Sequence, residues 1–454
     1  MTEKYDVAVI GSGSGGSEAA LLVAEKGSKA IVIEKDAFGG TRFHRGCYAV
    51  RALRASSRLF QEISQSRQLG IEADLLRSSL VDWMKAQRAA SFRLAEGLQN
   101  DLRTLNVRIA TGTASLLSEH QVRITDSSGK QEDVEAEYII LATGSRPDFS
   151  SCHGSRFFNS DDLIARVYPP ARLFIIGGGY IGCEFASIYR ALGCGVTLVE
   201  QRERLLPDWD PSVGKMVGGE LSANGVEVYL GKKVDIEKVP DRDGYPIFTK
   251  PDGRTTSPDL VLVATGRCPN VESMGLEDLG IAMTPFVEVD AQLRTSQRHI
   301  FAVGDVNGLS MLESSASAQA RIAVESIGGG DTLFSSRWVP RYLDTDPPAA
   351  AVGWMETDAK EAGFDLEAKS ATVRLVTSED RTVAEPSAAQ VKLIVERRTK
   401  KIRGCVIIGN GAAEVINLAA LAIQSGMTPS ELEGLFLVHP SVSVALQRCA
   451  KKFR

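Results

Sequence analysis

The feature of this sequence that most constrains its fold is a glycine-rich motif that occurs twice. GSGSGG at positions 11–16 and GGGYIG at positions 177–182 each stand between a short apolar run and a helical pattern. In each copy a second apolar run ends in an acid, Glu34 in the first and Glu200 in the second, at the same spacing from the first glycine. This arrangement is the fingerprint of a dinucleotide-binding βαβ unit. The repeat predicts two Rossmann-like units and therefore two bound dinucleotides.

Each glycine of the motif has a physical role in binding a dinucleotide. The first permits a tight turn, the second lets the backbone approach a pyrophosphate, and the third lets the helix pack closely on the strand. The helix N-terminus offers unpaired N–H groups to the phosphates, and the acid can bind ribose hydroxyls. The residues in these roles are Gly11, Gly13, Gly16 and Glu34 in the first unit and Gly177, Gly179, Gly182 and Glu200 in the second.

The chain between the two motifs predicts an insertion and a small sheet. Two long helical patterns, at about 52–67 and 75–105, indicate a helical hairpin inserted in the first dinucleotide fold. Residues 107–136 predict a β-meander with a turn at 126–130, and the apolar run 138–141 predicts a further strand.

Both units close on a similar short motif. ATGSRP at 142–147 ends the first unit, and ATGRCP at 264–269 ends the second. A later apolar run at 300–303 ends in Gly304 and Asp305. Because ligands lie beyond the carboxyl ends of the strands in parallel sheets, Asp305 is placed to meet a cofactor. The alternative for Asp305 is a plain helix cap.

The C-terminal segment follows a boundary, GGG at 328–330. Strands are predicted at 372–376, 390–395 and 404–408, and they alternate with helical patterns. TPSE at 428–431 predicts a helix that begins with a capping box and with proline at the first helical position.

Charge and composition exclude several classes of function. A net charge of -5 gives no electrostatic reason to expect a nucleic-acid or membrane partner. No run reaches the roughly 18 apolar residues of a spanning helix. The N-terminus has no signal-peptide pattern, so a cytoplasmic location is expected. The sequence contains no CxxC motif and no clustered histidines, and therefore no metal site is predicted.

One cysteine stands in an unusual setting. Cys47 lies among Arg42, His44, Arg45 and Arg51, directly before a helical pattern. Arginine side chains and a helix N-terminus both favour a thiolate, so a reactive Cys47 is one interpretation. The other is a small buried hydrophobic residue.

Taken together, these motifs resemble those of the pyridine nucleotide–disulfide oxidoreductases, the family of dihydrolipoamide dehydrogenase, glutathione reductase and mercuric reductase. The resemblance covers essentially the whole chain and implies an α/β fold. Its parts would be two Rossmann-like dinucleotide-binding domains and a C-terminal α+β interface or dimerisation domain. The residues that carry it are the two glycine motifs, GGT at 39–41, the two ATG motifs, GD at 304–305 and HP at 439–440.

The resemblance also implies domain boundaries. An FAD-binding domain would comprise residues 1–150, with the helical hairpin at about 52–105, and would be completed by 267–335. An NAD(P)-binding domain would comprise 151–266, and the interface domain 336–454.

The resemblance implies cofactors and site residues. FAD would bind the first unit and a pyridine nucleotide the second, in a homodimer that supplies His439 across its interface. Asp305 would hold the ribityl chain, and Tyr180 matches the residue that gates the nicotinamide pocket. Glu200 favours NADH over NADPH, because an acid there binds a ribose 2′-OH and repels a 2′-phosphate. The residues implied to bind the flavin are Gly11, Gly13, Gly16, Glu34, Gly40, Thr41, Ala114, Thr143, Gly144, Gly304 and Asp305. Those implied to bind the nicotinamide dinucleotide are Gly177, Gly179, Tyr180, Gly182, Glu200 and Gly266. The implied catalytic residues are Cys47, Glu184 with its partner Arg51, which is a lysine in the family, and His439.

Two departures from the family pattern lie on the acceptor side. The family's redox pair follows GGTCxxxGC, and here its first cysteine is Arg42 while its second is Cys47. The family has a Glu five residues after the histidine of its HPT motif, and here that position is Val444. Disulfide exchange needs a thiolate, a resolving thiol and a proton-handling group, and of these Cys47 and a partnerless His439 remain.

These departures leave three hypotheses. The leading one is an FAD-dependent NADH oxidoreductase that passes electrons directly to a small non-thiol acceptor, for which a quinone is the best candidate. Arg42, His44 and Arg45 would then form a positive mouth for the acceptor, the alternative being a solvated surface or pairing with local acids. The second hypothesis keeps thiol chemistry at Cys47, as in a dihydrolipoamide dehydrogenase-like or single-cysteine thiol reductase. The third is a flavin-binding partner protein without turnover.

Overall fold

The computed structural model describes residues 2–72, 80–149, 156–166, 168–250, 253–361, 363, 365–374 and 388–454. The chain divides into two compact units. Unit 1 comprises Met1–Ala52, Ser79–Asp148 and Gly266–Ser336, and unit 2 comprises Leu53–Ser78, Phe149–Thr265 and Arg337–Arg454. Among the described residues, the helices are either too short or too polar to cross a membrane.

The N-terminal third of the chain contains the first predicted dinucleotide fold and two long helices in the region where the helical hairpin is predicted. Residues 73–79, where the second hairpin helix is expected to begin, lie outside the described residues. The elements are β1 (Glu3–Ile10), α1 (Ser14–Glu25), β2 (Ala30–Glu34), α2 (Gly40–His44), α3 (Cys47–Gln65), α4 (Leu80–Thr104), β3 (Arg108–Thr111), β4 (Thr113–Ser118), β5 (Gln121–Thr125), β6 (Gln131–Leu141) and β7 (Ser145–Pro147).

The middle of the chain carries the second dinucleotide fold. Its elements are β8 (Phe157–Phe158), α5 (Ser160–Ala165), β9 (Arg172–Ile176), α6 (Tyr180–Ala191), β10 (Gly195–Val199), α7 (Pro211–Ala223), β11 (Glu227–Tyr229), β12 (Asp241–Arg242), β13 (Tyr245–Pro246), β14 (Phe248–Thr249), β15 (Thr255–Thr256) and β16 (Leu260–Val263).

The remaining elements complete unit 1 and form the C-terminal fold. They are β17 (Arg267–Pro269), β18 (Ile300–Ala302), α8 (Glu313–Ile327), β19 (Arg341–Leu343), β20 (Ala349–Gly353), α9 (Glu356–Glu361), β21 (Leu366–Arg374), β22 (Ala388–Glu396), β23 (Ile402–Ile408), α10 (Ala412–Gln424), α11 (Pro429–Glu433) and α12 (Ser443–Ala450).

The sheet of unit 1 has the order β3-β2-β1-β6-β5-β4, and β18 also pairs with β6. The pairs β2–β3, β1–β2, β1–β6 and β6–β18 are parallel. Both faces of β1 are buried, since Ala8 and Ile10 belong to one hydrophobic cluster while Val7 and Val9 belong to another. A strand buried on both faces has a continuous apolar sequence, which is why the pattern was visible without the structure.

One prediction about this sheet is wrong in detail. The expected meander over 107–136 begins only at β4, because β3 pairs in parallel with β2 and extends the dinucleotide sheet. The antiparallel meander consists of β4, β5 and β6, with the predicted turn at 126–130 between β5 and β6. The run 138–141 is not a separate strand but the second half of the long strand β6.

Unit 2 contains two short two-stranded sheets, β12-β13 and β14-β15, and two sheets of five strands. The parallel sheet β11-β10-β9-β16-β8 repeats the βαβ arrangement of unit 1, with β9 and β10 on either side of α6 in the chain. The other is the antiparallel sheet β19-β20-β23-β22-β21. Its buried side chains pack against those of α10 and α12 in one hydrophobic cluster. The predicted capping box is confirmed, because Thr428 and Glu431 cap the start of α11 reciprocally and Pro429 is its first residue.

Candidate functional site

The first glycine loop leaves no room for a side chain at two of its positions. Gly11 has a φ of +102°, and a Cβ there would lie 2.4 Å from the carbonyl oxygen of Ala142. A Cβ on Gly16 would lie 1.9 Å from the carbonyl oxygen of Gly11. A Cβ on Gly13, by contrast, would meet nothing within 4 Å. Gly13 is also the N-cap of α1, with no side-chain cap, so the helix N-terminus has space for a phosphate.

The second glycine loop repeats this geometry. Gly177 has a φ of +110°, and a Cβ there would lie 2.4 Å from the carbonyl oxygen of Ala264. A Cβ on Gly182 would lie 1.9 Å from the carbonyl oxygen of Gly177. Gly179 is the N-cap of α6 and again has nothing within 4 Å of its Cβ position. The two copies of the motif therefore have the same backbone constraints and the same open position.

The two acids are held by the same contacts. Glu34 accepts hydrogen bonds from the N–H of Ser12 at 2.9 Å and from the N–H of Asp36 at 2.9 Å. Glu200 accepts them from the N–H of Gly178 at 2.6 Å and from the N–H of Arg202 at 2.7 Å. In each case one N–H comes from the glycine loop and the other from two residues beyond the acid. This fixes each carboxylate at the strand end, where a ribose is expected.

The ends of the strands in unit 1 show features that fit a flavin dinucleotide. The hydroxyl of Thr143 is buried and has no hydrogen-bond partner among the described residues. Gly144 has a φ of +69°, with nothing within 4 Å of its Cβ position. Gly40, with a φ of +62°, lies against Gly13, since its Cβ would be 3.0 Å from the Gly13 Cα. An unpaired buried hydroxyl on Thr143 next to the open position of Gly144 fits a bound group with polar edges, as FAD has.

Asp305 belongs to a hydrogen-bonded chain that spans the two ATG motifs. The hydroxyl of Ser145 donates to the Asp305 carboxylate at 2.7 Å, and the same hydroxyl accepts from Arg267 Nε at 2.7 Å. Arg267 also donates to the Ser145 carbonyl at 2.9 Å. The strands that follow the two motifs, β7 and β17, pair with one another in antiparallel register. Burial raises the pKa of the Asp305 carboxyl above its ordinary value, against the opposing effects of Ser145 and Arg267.

Substituting Asp305→Asn should stabilise the flavin-free protein at neutral pH. Because the carboxyl pKa is raised on folding, the folded chain binds a proton here more readily than the unfolded chain, and stability falls as pH rises through this pKa. Asparagine carries no charge and can still accept from Ser145. The midpoint of thermal unfolding should therefore be higher for the variant than for the wild type, and the difference between the two midpoints should grow from about pH 4 to about pH 7.

The exposed Asp278 provides the control for this prediction, since Asp278→Asn removes a charge that is already solvated. Its unfolding midpoint should follow that of the wild type throughout. Equal midpoints for Asp305→Asn and wild type at neutral pH would contradict the destabilising effect of the buried charge.

The predicted positive mouth consists of residues that each have a local partner. Arg42 Nη1 lies 3.0 Å from Glu313 Oε1, and the Arg42 side chain is only 17% exposed. Arg45 Nη2 lies 2.9 Å from Asp36 Oδ2. His44 Nε2 contacts the carbonyl oxygen of Phe38 at 2.9 Å, which fixes the proton on this nitrogen. The pairing with local acids that the sequence left as an alternative is present, and an acceptor would meet arginines whose positions are already fixed.

The other predicted residues of unit 1 are placed as follows. Cys47 is exposed and is the first residue of α3, and Arg51 lies one turn later on the same helix. The carbonyl oxygen of Thr41 accepts the N–H of Arg45 in α2. Ala114 lies in β4, paired with Ile124 of β5. The N–H of Gly304 donates to Gln319 Oε1 at 2.7 Å, and the carbonyl oxygen of Gly266 accepts the N–H of Asp148 at 3.2 Å.

In unit 2, two predicted residues of α6 contact the segment around β19. Glu184 is buried, and its Oε1 accepts the N–H of Asp344 at 2.7 Å. The hydroxyl of Tyr180 donates to the carbonyl oxygen of Tyr342. His439 is exposed, and the neighbouring Phe436 is fully exposed. The first two contacts orient side chains at the start of α6, where the second dinucleotide is expected.

Three residues that sequence reasoning did not single out take part in these arrangements. Ser12 is fully buried, and its hydroxyl donates to Glu34 at 2.6 Å and accepts from the N–H of Gly39 at 2.9 Å. Ser145 and Arg267 connect the ATG motifs to Asp305. The signal for this last pair was in the sequence, because both residues directly follow an Ala-Thr-Gly.

Comparisons with known proteins agree with this geometry. The sequence profile of the pyridine nucleotide-disulphide oxidoreductases matches residues 5–324, and the profile of their dimerisation domain matches residues 339–450. A dihydrolipoyl dehydrogenase of Haloferax volcanii is 32% identical, over 98% of this chain and 95% of that protein. A glutathione reductase of Burkholderia cepacia is also 32% identical, over 97% of each chain.

Solved structures show the same fold. LpdA from Mycobacterium tuberculosis superposes with a TM-score of 0.88 at 25% identity and covers 100% of both chains. RclA from Escherichia coli, a HOCl-induced flavoprotein disulfide reductase, superposes with a TM-score of 0.83 at 24% identity over 99% of this chain and 100% of its own. At that level of identity the second likeness concerns the fold alone.

Two matched dinucleotide loops with a dimerisation fold define a flavin-dependent oxidoreductase that uses a pyridine nucleotide. The chain belongs to the pyridine nucleotide–disulphide oxidoreductase family, as its motifs predicted. Family membership implies FAD and a pyridine nucleotide as cofactors, and the predicted fold class is confirmed.

Proposed function

We propose that this chain is an FAD-dependent NADH oxidoreductase that delivers electrons directly to a non-thiol acceptor, for which a quinone is the best candidate. The observation that carries the proposal is at Arg42, which stands where the family has the first redox cysteine. Its guanidinium is paired with Glu313 at 3.0 Å, so this position holds a fixed cation in place of a thiol. Bound FAD would supply the redox chemistry, taking a hydride from the nicotinamide and passing two electrons on.

The geometry of unit 2 supports the nicotinamide half of the proposed reaction. The second glycine loop matches the first in its backbone constraints. Tyr180 and Glu184 are held by Tyr342 and Asp344, and so the start of α6 presents ordered side chains. A protein that only bound flavin would have no physical need for this arrangement, which argues against the hypothesis of a flavin-binding partner without turnover.

NADH is the proposed donor because of the contacts around Glu200. Its carboxylate is held by two backbone N–H groups and can accept from a ribose 2′-OH while repelling a 2′-phosphate. Arg204, one of two arginines nearby, donates to the carbonyl oxygens of Pro207 and Trp209. That guanidinium is thus engaged within its own loop, which reduces its capacity to bind a 2′-phosphate.

Thiol chemistry at Cys47 is the second candidate function. Cys47 is exposed at the start of α3, and the relatives named dihydrolipoyl dehydrogenase and glutathione reductase suggest an acceptor or donor of that kind. The absence of a cysteine at position 42 and of a carboxylate at position 444 weighs against it. Without a resolving thiol, Cys47 would need a small thiol partner to turn over.

We further propose a homodimer with the domain division expected from the sequence. Phe436 and Val438 are 105% and 78% exposed, and Leu421 on α10 is 58% exposed. Exposed large apolar side chains in a segment that matches a dimerisation domain support burial against a second copy. His439 directly follows Val438 and would be brought to the partner's site in such a dimer. The three segments of unit 1 support an FAD-binding domain completed by residues after the second glycine motif, whereas Leu53–Ser78, which the sequence assigns to that domain, belongs to unit 2.

An anaerobic titration of the flavoprotein with NADH tests the proposed function. We expect the flavin absorbance to bleach fully at about one equivalent of NADH per flavin, because position 42 is an arginine and provides no thiol to form the family's redox pair with Cys47. NADPH should bleach it at a much lower rate. Addition of a benzoquinone should then restore the oxidised spectrum. A flavin that stays oxidised in excess NADH would exclude the proposal, and a long-wavelength band that needs further equivalents to clear would support the thiol function instead.

Substitutions of the arginines separate the two halves of the reaction. Arg42→Ala should slow reoxidation by quinone by roughly tenfold, equivalent to about 1.4 kcal/mol, and should leave flavin reduction by NADH unchanged. Arg45→Ala should act in the same direction. The control is Arg321→Ala, which removes an exposed arginine paired with Glu18 on α1. Equal slowing of both half-reactions by Arg42→Ala would contradict an acceptor role for this side chain.

A further inference from the structure

A cluster of two histidines and a glutamate lies in unit 1, among residues that the proposed redox function does not use. Glu119 and His120 occupy the turn between β4 and β5, and His299 directly precedes β18. One ring nitrogen of each histidine and a carboxylate oxygen of Glu119 lie within 4.8 Å of one another. The two imidazole rings stack with centroids 4.3 Å apart and an angle of 28° between their planes.

The hydrogen bonds of the two rings determine which nitrogens carry lone pairs. His120 Nδ1 lies 3.0 Å from the carbonyl oxygen of Ala136, and His299 Nε2 lies 2.9 Å from the carbonyl oxygen of Glu119. A carbonyl oxygen only accepts, so each of these nitrogens must carry the proton. In the neutral rings, the lone pairs therefore reside on His120 Nε2 and His299 Nδ1. Among the described residues, neither of these nitrogens has a hydrogen-bond partner.

This arrangement is the one that metal-binding histidines adopt. A ligating imidazole commonly donates its second ring N–H to a backbone carbonyl or a carboxylate, which fixes the tautomer and the direction of the lone pair. Here both rings already donate to backbone carbonyls. The Glu119 backbone orients one ligand, and the Glu119 side chain offers another.

The backbone around the cluster is well ordered by the sheet. The N–H of Ala136 donates to the carbonyl oxygen of His120 at 2.9 Å, and the N–H of Ile139 donates to that of His299 at 3.0 Å. Ile300 is paired with Ile139 in the parallel ladder between β18 and β6. Both histidines are thus attached to the same strand, β6, and little rearrangement is needed to bring three ligands to one ion.

We propose that Glu119, His120 and His299 bind a first-row transition-metal dication, with Zn²⁺ as the representative ion. Imidazole nitrogen with carboxylate oxygen is a donor set that suits Zn²⁺, Ni²⁺ and Cu²⁺ and is poorly matched to Ca²⁺ or Mg²⁺. Three protein ligands leave at least one position of a tetrahedral ion open to water. The residues are half-buried or exposed, so an ion can reach them from solvent.

The position of the cluster assigns it a role separate from the redox chemistry. His299 precedes β18, whereas Gly304 and Asp305 follow it, so the cluster lies at the amino edge of the parallel strands and the cofactor site at the carboxyl edge. His299 and Asp305 are six positions apart in the chain, and a fully extended chain would span at most about 20 Å between them. An ion bound here would cross-link the β4–β5 turn to the start of β18. Because it would bind only the folded state, it would stabilise unit 1 against unfolding.

The sequence could not suggest this cluster. Metal sites are recognised in a sequence by ligands at short spacings, and here His299 and Glu119 are 180 residues apart. The parallel pairing of β18 with β6 brings these residues together, and no local sequence pattern indicates that pairing.

The proposal is tested by Zn²⁺ binding to the purified flavoprotein, measured by competition with a chromophoric chelator. A Cys47→Ser background removes the exposed thiol as a competing ligand. We expect one Zn²⁺ per chain, and at least a tenfold loss of affinity in both His120→Gln and His299→Gln. Zn²⁺ should also raise the unfolding midpoint of the parent protein and should not raise that of either variant.

Two further variants keep the result interpretable. Glu137→Gln on β6 removes an exposed acid that directly follows Ala136, the residue whose carbonyl oxygen contacts His120, and this variant should bind Zn²⁺ as the parent does. Glu119→Gln should weaken binding without disturbing the ring contacts, because His299 donates to the backbone carbonyl of this residue. If the histidine variants keep their flavin absorbance and bind Zn²⁺ as tightly as the parent, or if Glu137→Gln weakens binding equally, the site is not at this cluster.

Discussion

Substitution of Gly16 by alanine is expected to weaken flavin binding by at least about 100-fold and to destabilise the flavin-free protein. The new Cβ would lie 1.9 Å from the carbonyl oxygen of Gly11, far inside van der Waals contact. The loop and α1 would have to separate, and the N–H groups at the start of the helix would move away from the phosphates. Forced displacements of this kind typically cost about 1–3 kcal/mol in stability, and a 100-fold loss of affinity corresponds to about 2.7 kcal/mol.

Two other glycines separate the effect on the fold from the effect on the cofactor. Gly13→Ala should leave the stability of the flavin-free protein nearly unchanged, since its φ is -61° and its Cβ meets nothing within 4 Å. It should still weaken flavin binding, because the open space at Gly13 is where the pyrophosphate is expected. Gly97→Ala, at an exposed position of α4, should leave flavin binding unchanged and should stabilise the flavin-free protein slightly, by about 0.5–1 kcal/mol, because glycine inside a helix is less favourable than alanine.

Flavin absorbance after purification and thermal unfolding of the flavin-free protein measure the two effects. Wild-type flavin content in Gly16→Ala would show that the first loop does not bind FAD. A Gly13→Ala variant that is as unstable as Gly16→Ala would show that the loop tolerates no side chain for reasons of folding alone.

The parts of the fold that were predicted correctly depend on local patterns. The strand ends that lead into the two glycine motifs, Val7–Ile10 and Leu173–Ile176, are buried and apolar. The glycines mark where each strand is followed by a helix. The backbone constraints at Gly16 and Gly182 follow from the same local geometry. The capping box at Thr428 is local as well.

The parts that were missed depend on which distant segments meet. The sequence of β3 does not indicate that this strand pairs in parallel with β2, and for this reason the sequence pattern placed β3 in the meander. Arg42 and Glu313 are separated by 271 residues, so their ion pair could not be distinguished from a solvated arginine. The chain from Arg267 through Ser145 to Asp305 likewise joins three segments.

The two glycine motifs allow their functions to be separated by experiment, because each lies in a different unit of the chain. Gly182→Ala is expected to retain the flavin and to lose reduction by NADH. Its Cβ would lie 1.9 Å from the carbonyl oxygen of Gly177, which repeats in unit 2 the clash that Gly16→Ala creates in unit 1. The start of α6 would be displaced, and with it Tyr180 and the N–H groups that are expected to bind the phosphates.

Anaerobic stopped-flow measurement of flavin bleaching by NADH tests this second substitution. We expect the concentration of NADH that gives half the maximal rate to rise by at least about 100-fold, a loss of about 2.7 kcal/mol in nucleotide binding. Dithionite, which needs no nucleotide site, should still bleach the flavin at the wild-type rate. Gly219→Ala on α7 is the control, since its Cβ meets nothing within 4 Å and the residue is exposed. If the flavin of Gly182→Ala is reduced by NADH as fast as that of the wild type, the second loop does not bind the electron donor. This result would contradict the proposed transfer of electrons from NADH to the flavin.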